Sequence, residues 1–194
     1  MGSGDLPVER LLVGVCGAAA ILSLPSYLVT LRAELAAQIR VIMTKAATSM
    51  LQPSTVALLS SGVFVDERPA LEKKPGHVEL AGWCELFVVV PATANVLAQA
   101  AGGLAPDLLT TTVLASPRPV VFCPNVNAVM WNKPAVQRNV ETLRADGHVV
   151  IHPELAPAYE VDTGETRDTW VVPAPDRLVG LLREVLRRPE FSGS

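Results

Sequence analysis

Three short stretches of small or polar residues, each directly behind an apolar run, hold most of the side chains in this chain that could do chemistry. Gly14-Val15-Cys16-Gly17-Ala18-Ala19-Ala20 opens a helical pattern. Its side chains are small enough for backbone N–H groups to approach a phosphate at the positive end of a helix. It lacks GxGxxG and no P-loop lysine follows, so a dinucleotide or nucleoside triphosphate site is unsupported. A turn that merely packs closely between helix and sheet reads equally well. Pro91-Ala92-Thr93-Ala94-Asn95-Val96 stands in the same relation to a later apolar run and helix. Thr93 or Asn95 would there cap the helix, face a ligand, or do both. Thr44, closing another apolar run, is a further candidate for the same crevice. The third stretch is Pro124-Asn125-Val126-Asn127-Ala128-Val129-Met130-Trp131. Asn127 there is either a hydrogen-bonding tie or a substrate ligand, since an amide carries several donors and acceptors that need partners. Met130 and Trp131 read as core or as a contact between subunits.

Of the three histidines, His77 follows a Pro-Gly in a loop and precedes a helical pattern leading into the Pro91 stretch. A histidine titrates near neutral pH, which makes His77 the best general acid or base on offer, although a lone loop histidine is commonly inert. His148 and His152 fall in a strand-like stretch, roughly 13 Å apart if extended, too far to share a metal. They read as structural or surface residues. The three cysteines, Cys16, Cys84 and Cys123, are widely spaced, form no CxxC pair and fit reduced cytosolic thiols better than a disulfide framework.

The elements that must position these groups alternate between apolar, β-branched runs and helical patterns, which predicts an α/β fold built on a mostly parallel sheet. Strands are expected over Arg10 to Val15, Arg40 to Met43, Leu86 to Val90, Pro119 to Cys123 and His148 to Ile151, with a weaker one near Val63 to Val65. Helices are expected over Leu24 to Ala37, from Lys45, and over Val78 to Trp83, Val96 to Ala101, Asp107 to Leu114, Ala135 to Ala145 and Asp176 to Arg187. The last carries Leu178, Leu181, Leu182 and Leu186 on one stripe. Pro69 to Gly76 and Glu154 to Thr169 read as long loops, which in a compact domain point to function or mobility. Open parallel sheets bind ligands beyond the carboxyl ends of their strands, where all three stretches fall.

With 194 residues, 49% hydrophobic and 18% charged, the chain suits a single domain with a sizeable core. Sixteen basic residues against 19 acidic ones, with no long run of either sign, indicate neither a nucleic-acid stripe nor a polybasic membrane anchor. The apolar segment from Leu11 to Leu24 is short for a span, is followed by Pro25, and has Asp5 and Glu9 ahead of it instead of a basic cluster. These features argue against a signal peptide and for a cytoplasmic protein. A small molecule or another protein is the expected partner.

Taken jointly and in this order, the motifs resemble those of the homo-oligomeric flavin-containing cysteine decarboxylases, from about Leu11 to Ile151. The resemblance rests on the Gly17-Ala18-Ala19 turn, on His77 followed by Val78-Glu79-Leu80 and Trp83, and on the PATAN segment with Leu104-Ala105-Pro106-Asp107-Leu108-Leu109 behind it. It is completed by PNVNAVMW, where the family usually has PxMNxxMW, so that Val126 replaces the first Met and keeps an apolar contact. The resemblance implies a flavodoxin-like (Rossmann-type) sheet with helices on both faces, and FMN held by Gly17, Ala18, Ala19, Thr44, Thr93, Ala94, Asn95 and Val96. His77 would match the family's catalytic histidine and Asn127 the asparagine that binds the substrate carboxylate, with Met130 and Trp131 shaping that pocket. It further implies trimers able to associate further, up to a dodecamer, with active sites between subunits.

Two branches of that family share a first step. A cysteine carboxylate is stable until its CH2–SH is oxidised to a thioaldehyde by hydride transfer to the flavin, after which carbon dioxide can leave as an enethiolate forms. The phosphopantothenoylcysteine branch of coenzyme A biosynthesis then reduces the enethiol, using a cysteine in a loop near the C-terminus. Here the matching loop reads Ala158-Tyr159-Glu160-Val161-Asp162-Thr163-Gly164-Glu165 and no cysteine follows Cys123. The resemblance therefore favours the peptidyl branch, acting on the C-terminal cysteine of a ribosomally made precursor peptide to give the aminoenethiol of an S-aminovinyl-cysteine ring. The Glu154 to Thr169 loop is the candidate for closing over that peptide. The coenzyme A enzyme is the alternative within the same chemistry. A flavin prenyltransferase matches PNVNAVMW less well. A flavin-binding regulatory subunit fits less well, because His77 is present and no acidic tail follows Arg188. A chain whose motifs hold structure only would be colourless.

Overall fold

The computed structural model describes residues 6–66, 76–160 and 164–191. In chain order the elements are β1 (Val8–Val15), a 3-10 turn (Ala19–Ser23), α1 (Leu24–Glu34), β2 (Ala36–Met43), α2 (Lys45–Met50), α3 (Pro53–Ala57), β3 (Gly62–Val65), α4 (His77–Trp83), β4 (Leu86–Ala92) and α5 (Ala94–Ala101). There follow α6 (Leu108–Leu114), β5 (Val120–Pro124), α7 (Ala128–Trp131), α8 (Pro134–Ala145), β6 (Val149–Val150), β7 (Glu154–Glu160), β8 (Glu165–Val171), α9 (Pro175–Leu186) and a last 3-10 turn (Pro189–Phe191).

Strands β1 to β6 form one sheet in the order β3-β2-β1-β4-β5-β6, every pair parallel. This is the flavodoxin-like, doubly wound architecture expected, with the strand order of dinucleotide-binding folds, and its direction of winding reverses between β1 and β4. Alternation along each strand divides the core in two. Leu11, Val13 and Val15 of β1, with Val88 and Val90 of β4, face α1 and α9. Leu12 of β1, with Phe87 and Val89 of β4, faces the side covered by α4, α5, α6 and α8. Leucines buried to this degree contribute about 1.5–3 kcal/mol each, enough to place α1 and α9 without strong capping. Gly14 makes close packing possible on the second face, because a Cβ there would stand 2.5 Å from Leu109 Cδ1.

Several expected boundaries move. The first helix ends at Glu34, and β2 begins at Ala36 in place of Arg40. Leu35-Ala36-Ala37 is good helix sequence, but Ala36 pairs with Val8 of β1, and the ladder overrides propensity. The apolar stripe of α9 is turned from the expected one: Leu178, Val179, Leu182 and Val185 are buried, while Leu181 and Leu186 are partly covered. The expected loop over Glu154 to Thr169 is instead an antiparallel hairpin of β7 and β8, from Glu154↔Val171 to Glu160↔Glu165. The first four residues of β8 are polar and exposed, so they give no core-type strand signal, and pairing supplies what burial does not. Of the expected loop at Pro69 to Gly76, only Gly76 lies within the described residues. No helix among the described residues is long and apolar enough to cross a membrane; Leu11 to Leu24 lies in β1, its turn and the start of α1.

Candidate active site

The carboxyl ends of β1, β2, β4 and β5 lie side by side, and hydrogen bonds tie the turns that leave them. Cys16 N–H donates to Pro91 O at 3.2 Å across the reversal point between β1 and β4, and Thr44 N–H donates to Val15 O at 3.0 Å. Asn125 N–H donates to Ala92 O at 2.9 Å, and Asn125 Oδ1 accepts from Ala20 N–H at 3.2 Å. The Gly17, Thr44, Thr93 and Asn125 turns are thus one connected edge. Sequence reasoning does not single out Asn125; the available signal is its place one residue behind a buried strand, in the same PNVN stretch as Asn127.

Three polar residues on this edge also start helices. Thr44 Oγ1 accepts from Ala47 N–H at 3.3 Å, and Thr93 Oγ1 from Val96 N–H at 3.3 Å. Asn127 Oδ1 accepts from Met130 N–H at 2.8 Å. Thr93 is therefore the cap of α5, and Asn95, two residues further, is exposed. Thr93 also lies beside the sulfur of Cys16. Burial still holds that thiol protonated, pushing its pKa up to about 12 with a smaller push from Asp107, against the lowering by Thr93. Burial likewise raises Cys84 to about 11 and raises Cys123 further, so all three free cysteines are inert thiols within the core.

Gly17 explains how close the first turn comes to the second. A Cβ there would lie 2.7 Å from Ala46 Cβ and 2.9 Å from the Ala46 carbonyl carbon, so the β1 turn rests directly on the start of α2. Small side chains at Gly17, Ala18 and Ala19, hydroxyls at Thr44 and Thr93, and the N-terminus of α5 make a cradle rich in donors and poor in bulk. Those features fit a phosphate-bearing, planar group such as FMN.

His77 is the first residue of α4 and is exposed. Since α4 leads into β4 and runs antiparallel to it, His77 is at the end of α4 that points toward the carboxyl ends of the strands. Asn127 is exposed, not buried, and caps the short α7. Its amide oxygen is committed to Met130, which leaves the two N–H donors for an external acceptor. Met130 is 42% exposed, whereas Trp131 is 4% exposed and packs in the second core cluster. The Trp131 ring meets the His152 ring edge-on, with centroids 5.3 Å apart, and His152 meets Trp170 of β8 in the same manner at 5.2 Å. His148, by contrast, is structural: its Nδ1 accepts from Val120 N–H at 3.0 Å.

The family model described as Flavoprotein matches residues 2–172. The chain is 40% identical over 177 residues to mersacidin decarboxylase of Bacillus sp. (strain HIL-Y85/54728), covering 91% of this chain and 90% of that protein. Among solved structures, MrsD from Bacillus sp. HIL-Y85/54728 superposes with a TM-score of 0.79 at 35% identity, covering 91% of this chain and 95% of that one. The FMN-dependent cysteine decarboxylase SpaF superposes with a TM-score of 0.72 at 36% identity, covering 91% and 96%. On a match that spans all six strands of the sheet, the chain belongs to the Flavoprotein family.

Proposed function

We propose that this chain is an FMN-dependent peptidyl-cysteine decarboxylase, which oxidatively decarboxylates the C-terminal cysteine of a ribosomally made precursor peptide to an aminoenethiol. The observation that carries the reading is the connected edge at the β1/β4 reversal. One cradle suited to a flavin phosphate adjoins an exposed asparagine whose free donors suit a carboxylate, and the helix that His77 opens points its N-terminus toward that edge. Similarity along nearly the full length to mersacidin decarboxylase and to SpaF supports the same chemistry. The hairpin sequence contains no cysteine to donate a proton for reducing the enethiol, which favours the peptidyl branch over phosphopantothenoylcysteine.

In this reading FMN is held by Gly17, Ala18, Ala19, Thr44, Thr93, Ala94, Asn95 and Val96. When bound, FMN would supply the oxidising power, as the acceptor for a hydride from the cysteine CH2–SH carbon. The protein's own groups hold and ready the peptide. Asn127 donates its two amide N–H groups to the terminal carboxylate and fixes the cysteine against the edge. His77 takes the thiol proton, so that the sulfur is left as C=S once the carbon has lost its hydride. The carboxylate then lies β to that thiocarbonyl, carbon dioxide leaves with its bonding electrons retained by the enethiolate, and His77 can return the proton. Met130 and Trp131 shape the wall beside Asn127, and the hairpin β7–β8 closes over the peptide. The same reading places the site between subunits of a homo-oligomer, supported by exposed apolar side chains at Val78, Val129 and Met130 around His77 and Asn127. Three free thiols support a cytoplasmic setting.

Anaerobic mixing of the purified flavoprotein with a peptide ending in cysteine tests this directly. Bleaching of the visible flavin band, with loss of carbon dioxide and two hydrogens from the peptide, is expected. A bound flavin that stays oxidised with the peptide but turns over phosphopantothenoylcysteine would overturn the assignment. His77→Asn should abolish bleaching while leaving the flavin bound, and normal turnover by that variant would remove His77 from the mechanism.

A further inference from the structure

The hairpin β7–β8 stands out from the sheet with most of β8 exposed. At its base Glu154 pairs with Arg177 at 3.2 Å, and Tyr27 donates its hydroxyl hydrogen to Pro173 O at 2.8 Å. Above the base, the link to the site side is aromatic. His152, directly before β7, sits between Trp131 of α7 and Trp170 of β8, with interplanar angles of 83° and 78°. In such edge-to-face arrangements the positive edge of one ring meets the negative face of another. A hydrogen bond between His152 Nδ1 and Pro153 O, 2.7 Å long, holds the imidazole in this orientation. The two tryptophans are fixed differently. Trp131 is buried in the core, and its carbonyl accepts from Gln137 Nε2 at 2.6 Å, whereas Trp170 is half-buried and belongs to the hairpin. The histidine therefore joins a rigid ring, four residues behind Asn127, to a ring on the more exposed element.

We infer that His152 is a positioning residue for peptide capture: its exposed ring, in edge-to-face contact with both Trp131 and Trp170, sets the angle at which the β7–β8 hairpin stands over the Asn127 turn. The inference rests on the peptidyl-cysteine reading above. A residue acting in this way alters how well the hairpin covers a bound peptide, and so KM. It does not touch the flavin cradle or the reacting carbon, so kcat at saturating peptide is unchanged. Removing both edge-to-face interactions at once should shift the hairpin equilibrium by about tenfold.

The test compares the FMN-loaded parent with His152→Ala, His152→Phe and Trp170→Leu. KM and kcat are measured for a peptide ending in cysteine, and the rate of trypsin cleavage after the exposed Arg167 of β8 is followed by mass. His152→Ala and Trp170→Leu should raise KM and speed cleavage by about tenfold, with kcat and flavin content at parent values. His152→Phe, which keeps a ring at that position, should restore both. Parent KM and parent cleavage in His152→Ala would overturn the inference, as would a fall in kcat at constant KM or a His152→Phe variant no better than His152→Ala. If the parent itself fails on the peptide, the substrate reading falls and takes the capture role with it, while the cleavage series still decides whether the ring holds the hairpin.

Discussion

Gly17→Ala should separate the packing of the cradle from the stability of the fold at large. The added Cβ meets Ala46 Cβ at 2.7 Å and the Ala46 carbonyl carbon at 2.9 Å, and the latter is backbone, so α2 must move as a unit. Overpacking of this kind costs about 1–3 kcal/mol. For a chain of this size each kcal/mol lowers Tm by about 2–4 °C, giving a fall of about 2–12 °C. Two other glycines calibrate the result. At Gly14 the obstacle is the end of a leucine side chain, Leu109 Cδ1 at 2.5 Å, which can rotate, so Gly14→Ala should cost less. At Gly82, inside α4, nothing lies within 4 Å, and Gly82→Ala should gain about 0.5–1 kcal/mol from helix propensity. Thermal unfolding with and without FMN, followed by circular dichroism and flavin absorbance, reads all three. The gain in Tm on adding FMN should shrink for Gly17→Ala alone, because only there does the strain displace the turn from Thr44. A Gly17→Ala protein with the parent's Tm and the parent's gain on adding FMN would refute the reasoning.

Two further predictions concern groups away from the reacting atoms. Replacing Cys16, Cys84 and Cys123 together by alanine or serine should leave FMN-dependent turnover of the peptide in place, at some loss of stability, because all three are buried, protonated thiols; loss of turnover in a folded, flavin-loaded variant would show that one of them takes part. Burial holds the imidazole of His148 below its ordinary 6.5, partly offset by Asp146, so the unfolded chain binds the extra proton first as pH falls. Its contribution to stability is therefore complete above about 6.5 and declines below it. Urea unfolding between pH 7.5 and 5 should show that decline in the parent and a flatter one in His148→Gln, and equal slopes would assign the decline elsewhere.

The order of strands and helices is legible because most of the strands contain a continuous apolar run, and runs such as Leu86–Val90 admit few other readings when helical patterns flank them. What is not legible depends on partners distant in sequence. Nothing local in Leu35-Ala36-Ala37 says strand; Val8 does, across the ladder. Nothing in Glu154 to Thr169 has the alternation of a half-buried strand, and the hairpin forms because its two arms satisfy each other's backbone groups. The spacing of His152 speaks against a shared metal, but its neighbours Trp131 and Trp170 lie on both sides of it in the chain and meet only in the fold.

For the site itself, the sequence poses a choice between cap and ligand, and the fold shows that the first does not preclude the second. Asn127 is a cap, and being one is what aims it: with Oδ1 on Met130 N–H at 2.8 Å, the carboxamide can turn only its N–H groups outward. This yields a test in which the two roles part. Asn127→Asp keeps an oxygen for Met130 N–H, and aspartate caps as well as asparagine, so Tm should change little. It replaces the donors with a second, negative oxygen facing the peptide carboxylate, a juxtaposition that costs several kcal/mol and should weaken capture by about a hundredfold or more. Asn127→Ala loses the cap, worth about 1 kcal/mol, as well as the donors, yet adds no repulsion. The aspartate variant should therefore be the more stable and the poorer at capturing a free C-terminal carboxylate. It should also discriminate least against the C-terminal amide, which carries no charge to repel. Peptide affinity measured by flavin spectral titration for acid and amide forms decides the matter. If Asn127→Asp bound the free acid as well as the parent does, the carboxylate would have to rest on other donors of the edge, and Asn127 would be a cap alone.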